Sequence, residues 1–361
     1  MRLMVLPCDG IGPEITKATI EVLEAVDARF DLGLDFTYED AGFVSLEKHG
    51  ITLRDETLER ARDYDGIILG PQSHMDYPPR EQGGRNVSAA FRVGLDLYAN
   101  IRPARTRDFL PAGKKMDLVI MREATEGFYP DRNMHKGIGE FMPVPGVAIS
   151  MRRITAHACE RIAREAFRLA MRRGKHVTAV HKANNFIITD GLFLDVTREV
   201  GKEFPEVRLD TYIIDAMAAQ LVRDPGRFDV ILATNFYADI LSDLASELSG
   251  SLGLAGSINA NSETGLVCAQ AQHGSAPDIQ GKNVANPTSL ILSAAMMLSW
   301  LGERRGDQKL LAAGSAMEAA VDAVLADPGR RTRDLGGDMN CDAFGREVAK
   351  AIGSEEMAPA R

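Results

Sequence analysis

Asp239 and Asp243 stand four residues apart in NFYADILSDLASELSGSLG, the stretch from Asn235 to Gly253. On a helix that spacing puts both carboxylates on one face. Ile240, Leu241, Leu244 and Leu248 supply apolar stripes beside them. Two like charges a turn apart repel unless a cation sits between them, so the pair suggests a hard-cation site. A helix whose early acids merely suit its macrodipole is the competing reading, and spacing leaves both open. Asp215, after the apolar run Leu209–Ile214, is a third carboxylate able to join the pair. Three carboxylates, a substrate oxygen and waters would make an oxygen site for Mg2+ or Mn2+.

Arg92, Arg102 and Arg122 fall at the ends of helical or strand-like runs, where α/β proteins place ligand-binding groups. A guanidinium matches a carboxylate as a bidentate fork, so several of them suggest a di- or tricarboxylate substrate. Surface salt bridges are the alternative for any one of them. Tyr129 and Lys182 could act as acid or base if desolvated, although a lone Tyr or Lys is more often structural. The loop HGSAPDIQGKNVANP, from His273 to Pro287, packs Gly, Ser, Pro and Asn before an apolar helix. Its backbone amides could cradle phosphates, and Asp278 could bond a ribose diol while repelling a 2′-phosphate. An ordinary long loop is the other reading.

Alternating elements must position these groups. Leu3–Pro7, Phe36–Tyr38, Gly66–Leu69, Leu97–Ile101, Asp117–Arg122, Val177–Val180, Leu209–Ile214, Asp229–Thr234 and Gly265–Ala269 read as strands. Helical periodicity marks 15–28, 86–94 and 154–172, and three helices close the chain, so an α/β fold is expected. Residues 130–149 lack helical periodicity and read as a protruding hairpin arm. Gly250–Gly256 is a glycine-rich crossing between domains. CDGIGPE follows a strand and opens a helix, yet Pro13 and the missing third glycine exclude a dinucleotide fingerprint. A tight turn with Pro13 at the helix start fits better.

At 361 residues the chain is long enough for two domains, and 45% hydrophobic with 26% charged residues is a soluble composition. A net charge of −9 argues against nucleic-acid or anionic-membrane partners. Cys8, Cys159, Cys268 and Cys341 form no CxxC pair, so free thiols in a reducing cytoplasm are expected. The apolar run in MRLMVLPCDG is too short for a signal peptide. Leu290–Leu301 is too short to span a bilayer and reads as a core helix.

Taken in order, GIGPE (10–14), ANIRPA, REATEGFY, HKANN, IDAMA, NFYADILSD, HGSAPDI and ANP…LSAAMML resemble the β-decarboxylating dehydrogenase family. That family comprises isopropylmalate, isocitrate, homoisocitrate and malate or tartrate dehydrogenases. The resemblance runs nearly end to end. It implies a two-domain, non-Rossmann α/β fold of the isocitrate/isopropylmalate dehydrogenase type. Residues 1–98 and 252–361 would form a large cofactor domain. Residues 99–251 would form the metal, substrate and dimerisation domain, with the arm at 130–149 clasping a second copy. The active site would lie in the inter-domain cleft, completed by Lys182 and Asp215 of the partner subunit.

The same resemblance carries roles to individual positions. Arg92, Arg102 and Arg122 bind the malate carboxylates. Asp239, Asp243 and the partner's Asp215 hold Mg2+ or Mn2+. Lys182 removes the hydroxyl proton, directly or through water, and Tyr129 protonates the enol at C3. His273, Gly274, Ser275, Ala276, Asp278, Ile279 and Asn286 resemble the adenosine-binding loop. Asp278–Ile279 match NAD-type members, where NADP-type members tend to carry Lys–Tyr.

Two departures stand out. Gln270 occupies the position where most members have an acid, three residues before the loop histidine. GGRNVSAAFR carries Arg85, Asn86, Ser88 and Ala89 where isopropylmalate enzymes place an acid and two leucines. Isocitrate enzymes place Ser and Asn at the positions of Asn86 and Ser88. An apolar substituent there would leave polar groups unpaired, so a polar or anionic C3 substituent is expected, with Arg85 as its partner. Isopropylmalate dehydrogenase with a rearranged pocket is the alternative, and a non-catalytic subunit of the same fold is a third. The complete set of Tyr129, Lys182 and three aspartates favours an enzyme, and the resemblance implies that it is NAD-dependent and homodimeric.

Overall fold

The computed structural model describes residues 1–110 and 114–353. The chain divides into two compact units. One holds Met1–Leu95, Arg107–Leu110 and Ser251–Arg361; the other holds Asp96–Thr106 and Pro111–Gly250. The strands in chain order are β1 (Arg2–Leu6), β2 (Asp35–Tyr38), β3 (Gly66–Leu69), β4 (Ala99–Arg105), β5 (Asp117–Glu123), β6 (Glu140–Val144), β7 (Val147–Ser150), β8 (His176–His181), β9 (Arg208–Ile213), β10 (Val230–Ala233), β11 (Ile258–Asn261) and β12 (Leu266–Gln270).

In the first unit the strand order is β2-β1-β3-β12-β11, parallel except for the antiparallel pair β11–β12. Parallel strands covered on both faces read as continuous apolar runs, and GIIL of β3 and LVCAQ of β12 are buried throughout. Helix Gly12–Phe30 begins with Pro13 in its first turn, the turn-and-proline start expected from CDGIGPE. Gly10 has φ +59°, and a Cβ there would lie 2.0 Å from the Ser275 carbonyl oxygen. That glycine allows the backbone of the 273–279 loop to approach. Helices Thr288–Arg305 and Gln308–Ala326 cross closely because Gly314 has no side chain to meet Ser299. Strand β11, INAN, was not expected from its short polar sequence. Its asparagines stay buried because they have partners: Asn259 Oδ1 accepts from Arg92 Nε at 2.9 Å, and Asn261 Oδ1 accepts from the Glu263 and Thr264 amides.

In the second unit the order is β4-β5-β10-β8-β9, with β4 antiparallel to β5 and the rest parallel. Strand β4 runs past the expected stop at Arg102–Pro103 to Arg105, since proline's fixed φ suits an extended chain. Helix Ala156–Met171 turns Cys159, Ile162, Ala163, Ala166, Phe167 and Ala170 onto one face of this sheet. Thr155 caps it by accepting from the Ala158 amide. The other face is covered by Met217 and Leu221, and by Tyr237, Ala238, Leu241 and Ala245 of the helix Asn235–Ser249. Burying each such large side chain contributes about 1.5–3 kcal/mol.

The Asn235 helix stops at Ser249, short of the expected Gly253, because Gly250 takes φ +140° at its C-cap. Of the four apolar residues named on it, Leu241 is in the core, Leu244 and Leu248 pack at its edge, and Ile240 points outward. Residues 140–150 form a two-stranded hairpin, β6–β7, exposed along its whole length. No described helix is long and apolar enough to cross a membrane.

Candidate active site

Antiparallel pairing of β4 with β5 sets Arg102 opposite Ile120 and Asn100 opposite Arg122, so the two arginines share one face as diagonal neighbours. Their side chains are only 7% and 3% exposed. Helix Asn235–Ser249 answers them with residues at helical spacing. Asn235 Oδ1 accepts from Arg122 Nε at 2.8 Å, and Asp239 Oδ1 pairs with both Arg122 Nη1 and, at 3.1 Å, Arg102 Nη1. Ser242 Oγ accepts from Arg102 Nη1 at 2.7 Å, and Asp243 lies 3.5 Å from the same nitrogen. Tyr129 donates its hydroxyl to the other Asp239 oxygen. Three chain segments are thereby fastened to one carboxylate.

Burial sets the electrostatics here. It lowers Arg122 to about 10, helped by the neighbouring Arg102, so the guanidinium stays charged at neutral pH. It raises Tyr129 to about 12, and the Asp239 carboxylate adds to the rise. The phenol therefore keeps its proton at neutral pH.

Lys182 follows β8, and Asp215 lies in the first turn of the helix after β9. These strands are parallel neighbours, so their carboxyl ends bring Lys182 Nζ onto Asp215 Oδ1. That bond holds the Asp215 carboxyl below the usual range. Within one chain Asp215 pairs with Lys182, while Asp239 and Asp243 pair with the arginines. Among the described residues no three His, Cys, Asp or Glu side chains gather as a cation site. Asp239 and Asp243 offer oxygen donors suited to Mg2+ or Mn2+, and Asp243 keeps 58% of its side chain accessible. Two carboxylates are only part of such a coordination set.

In the first unit, Asn86 caps helix Val87–Gly94 by accepting from the Ala89 amide at 3.0 Å. Gln270 Oε1 accepts from Ser88 Oγ at 3.0 Å, Asn259 Nδ2 at 3.4 Å and Arg92 Nη2 at 3.5 Å. The departure at Gln270 thus joins Ser88 and Arg92 in one buried network. Arg85 is drawn away from these groups to the exposed Asp55, at 2.7 Å.

The 273–279 loop is held by the Ile11 amide on the Ser275 carbonyl and by the Ser73–Ser275 hydroxyl pair, 2.8 Å apart. His273 Nδ1 bonds the Gly274 carbonyl, while its Nε2 is buried without a partner. Burial lowers the His273 pKa, which favours the neutral ring with Nε2 as an acceptor. A Cβ on Gly274 would meet nothing, which leaves room above the loop. Ala276 adopts φ +41° and leads into the Pro277–Ile279 turn, where Asp278 is exposed and Ile279 half-buried. Asn286 accepts from the Thr288 amide and donates to Asp334 at 2.9 Å. An orphaned acceptor and an uncovered glycine fit a nucleotide.

Several supporting residues escaped the sequence reading. Asn235 and Ser242 sit four before and three after Asp239, so helical phase was a usable signal. Asn259 and Asp334 gave none, being far in sequence from Arg92 and Asn286.

Comparison with known proteins places this arrangement. The isocitrate/isopropylmalate dehydrogenase family model matches residues 2–348, and the chain belongs to that family. It is therefore an oxidoreductase of the class that oxidatively decarboxylates 3-substituted malates. It is 41% identical over 353 residues to the 3-isopropylmalate dehydrogenase of Archaeoglobus fulgidus, covering 97% of this chain and 99% of that one. It is 42% identical over 355 residues to the isocitrate/homoisocitrate dehydrogenase of Thermus thermophilus, covering 98% and 99%. The crystal structure of isocitrate dehydrogenase from Methylococcus capsulatus superposes with a TM-score of 0.86 at 36% identity, over 98% of this chain and 99% of the other.

Proposed function

We propose that this protein is an NAD- and divalent-cation-dependent dehydrogenase that oxidatively decarboxylates an (R)-malate bearing a polar C3 substituent, working as a homodimer. The observation that carries the reading is the convergence of Arg102, Arg122 and Tyr129 on Asp239. Two guanidinium charges offset the Asp239 and Asp243 charges, an arrangement that favours entry of a divalent cation together with an anionic substrate. Arg92, Arg102 and Arg122 bind the substrate carboxylates through guanidinium forks. Lys182 of the partner subunit takes the C2 hydroxyl proton. Tyr129, still protonated, delivers its proton to C3 after CO2 has left. Asp239 and Asp243, with Asp215 of the partner subunit, would hold the cation. His273–Ile279 and Asn286 would hold the nucleotide. When bound, NAD supplies the hydride acceptor and the divalent cation supplies Lewis acidity at the substrate oxygens.

Support for a polar substituent comes from the Asn86 amide hydrogens and the Ser88 lone pairs, which remain for a ligand once the cap and the Gln270 bond are made. The exposed Asp278 favours NAD over a 2′-phosphorylated cofactor. Dimerisation is supported by apolar side chains left outside the second unit: Phe141, Met142, Val144 and Val147 on the hairpin, and Phe186, Ile187 and Ile188 after Lys182. A second reading, 3-isopropylmalate as substrate, is favoured by the same internal bonds. Ser88 and Asn86 each have a partner within the protein, which lessens the cost of an apolar neighbour.

A substrate panel at fixed Mg2+, run with NAD and with NADP, separates the readings. Isocitrate, homoisocitrate, tartrate or malate should outpace 3-isopropylmalate. Turnover of isopropylmalate far above every polar analogue would sink the polar-substituent reading. A preference for NADP would sink the Asp278 argument.

A further inference from the structure

We infer that Arg152, with Asp190 as its buried counter-charge, is a positioning residue that locks into one geometry the segments carrying Tyr129 and Asp239, which serve this subunit's site, and Lys182, which serves the partner's. The inference rests on the catalytic roles proposed above. The Arg152 and Asp190 side chains are 6% and 1% exposed. Arg152 Nη1 pairs with Asp190 Oδ1, and Nη2 donates to Thr234 Oγ1 at 3.0 Å. Three aromatic rings surround the guanidinium, Phe128 at 4.9 Å, Tyr237 at 5.1 Å and Phe186 at 5.5 Å.

Each contact belongs to a segment with a proposed task. Phe128 precedes Tyr129 in the chain and packs edge-on against Phe236, 5.7 Å between ring centroids. Asp190 Oδ2 accepts the Lys182 backbone amide at 2.5 Å, fixing where the lysine leaves β8. Phe186 lies on the same turn as Lys182. Thr234 and Tyr237 flank the start of the helix that carries Asp239 and Asp243.

A planar guanidinium can donate along its edge and stack on its faces at once, which an ammonium cannot do. Lysine would keep the charge beside Asp190 and lose both the Thr234 bond and the stacking. The three segments would then shift relative to one another. A misplacement of about 1 Å typically costs roughly 100-fold in rate.

The experiment compares Arg152→Lys, Asp190→Asn and Thr234→Val with wild type in the full-length enzyme. Arg161→Lys is the matched control, because Arg161 is also a buried partner of an aspartate, Asp96, and stacks 4.2 Å from Tyr98. Steady-state kinetics and backbone hydrogen exchange are read on each. Arg152→Lys should lower kcat by roughly 100-fold with KM values within a few-fold. Residues 125–130, 182–190 and 234–240 should lose exchange protection together, while β10 keeps its own. Thr234→Val removes one bond isosterically and covers the case in which Arg152→Lys does not fold; it should cost several-fold in kcat. Arg161→Lys should lower Tm without lowering kcat. Wild-type kcat in Arg152→Lys or Thr234→Val, or exchange changes confined to one segment, would overturn the inference. A wild-type enzyme that turns over none of the acids would fail the functional reading instead, and the exchange comparison would still decide whether Arg152 couples the three segments.

Discussion

Replacing Asn235 with leucine removes two buried hydrogen bonds while keeping the branching of the side chain. Asn235 is fully buried; its Oδ1 accepts from Arg122 Nε at 2.8 Å and its Nδ2 donates to the Glu126 carbonyl at 2.8 Å. The first bond involves a charged donor and is worth about 1.5–3 kcal/mol; stranding the Glu126 carbonyl costs about 1–3 kcal/mol more. The combined loss is about 3–5 kcal/mol, a large share of the 5–15 kcal/mol typical of a folded domain. At roughly 2 °C or more per kcal/mol, Tm should fall by about 6–10 °C. Arg122 would keep its Asp239 pair and lose its second tether, so KM for the acid should rise about tenfold, equivalent to about 1.4 kcal/mol. Differential scanning calorimetry and steady-state kinetics measure the two effects separately. A Tm within about 2 °C of wild type, or an unchanged KM, would refute the claim that Asn235 holds Arg122 in place.

Other outcomes follow from the same geometry. Glu126 is raised to about 7 by burial and by nearby Glu123, despite its bonds from Thr155. The folded state therefore binds the proton more tightly than the unfolded chain does. Its stabilising contribution, about 3 kcal/mol, is complete below pH ~4.5 and is lost as pH rises to about 7. Glu126→Gln should flatten that slope in Tm measured from about pH 4.5 to 7.5, and an unchanged slope would assign it to another group. Tyr129→Phe should lower kcat by about 10²–10⁴ through loss of the acid, with a smaller change in substrate KM from loss of the hydroxyl bond to Asp239; stopped-flow detection of CO2 release without matching product formation would support it, and wild-type turnover would remove Tyr129 from the mechanism. Charging the hairpin with Phe141→Asp and Val147→Lys should yield a monomer by light scattering, with unchanged circular dichroism and no NADH formation. An active monomer would show that the partner subunit contributes nothing to catalysis.

Much of the fold was legible because its signals are local. Continuous apolar runs such as GIIL and VILA mark buried parallel strands, and Pro13 after a glycine turn marks a helix start. The four-residue spacing of Asp239 and Asp243 places them on one helix face whatever surrounds them. Ordered motifs named the family, since each preserves a residue type at a chain position. Other features depend on groups brought together from distant parts of the chain. INAN becomes a strand only because Arg92 and a following turn satisfy its buried asparagines. Arg85 pairs with Asp55, and Gln270 gathers Ser88, Asn259 and Arg92, none of which sequence spacing can reveal. The opening pair of carboxylates shows the division clearly. Sequence determined that Asp239 and Asp243 share a face with apolar neighbours. Only tertiary structure decided that Arg102, Arg122 and Tyr129 meet Asp239, because buried charges settle by three-dimensional proximity and desolvation rather than by order along the chain.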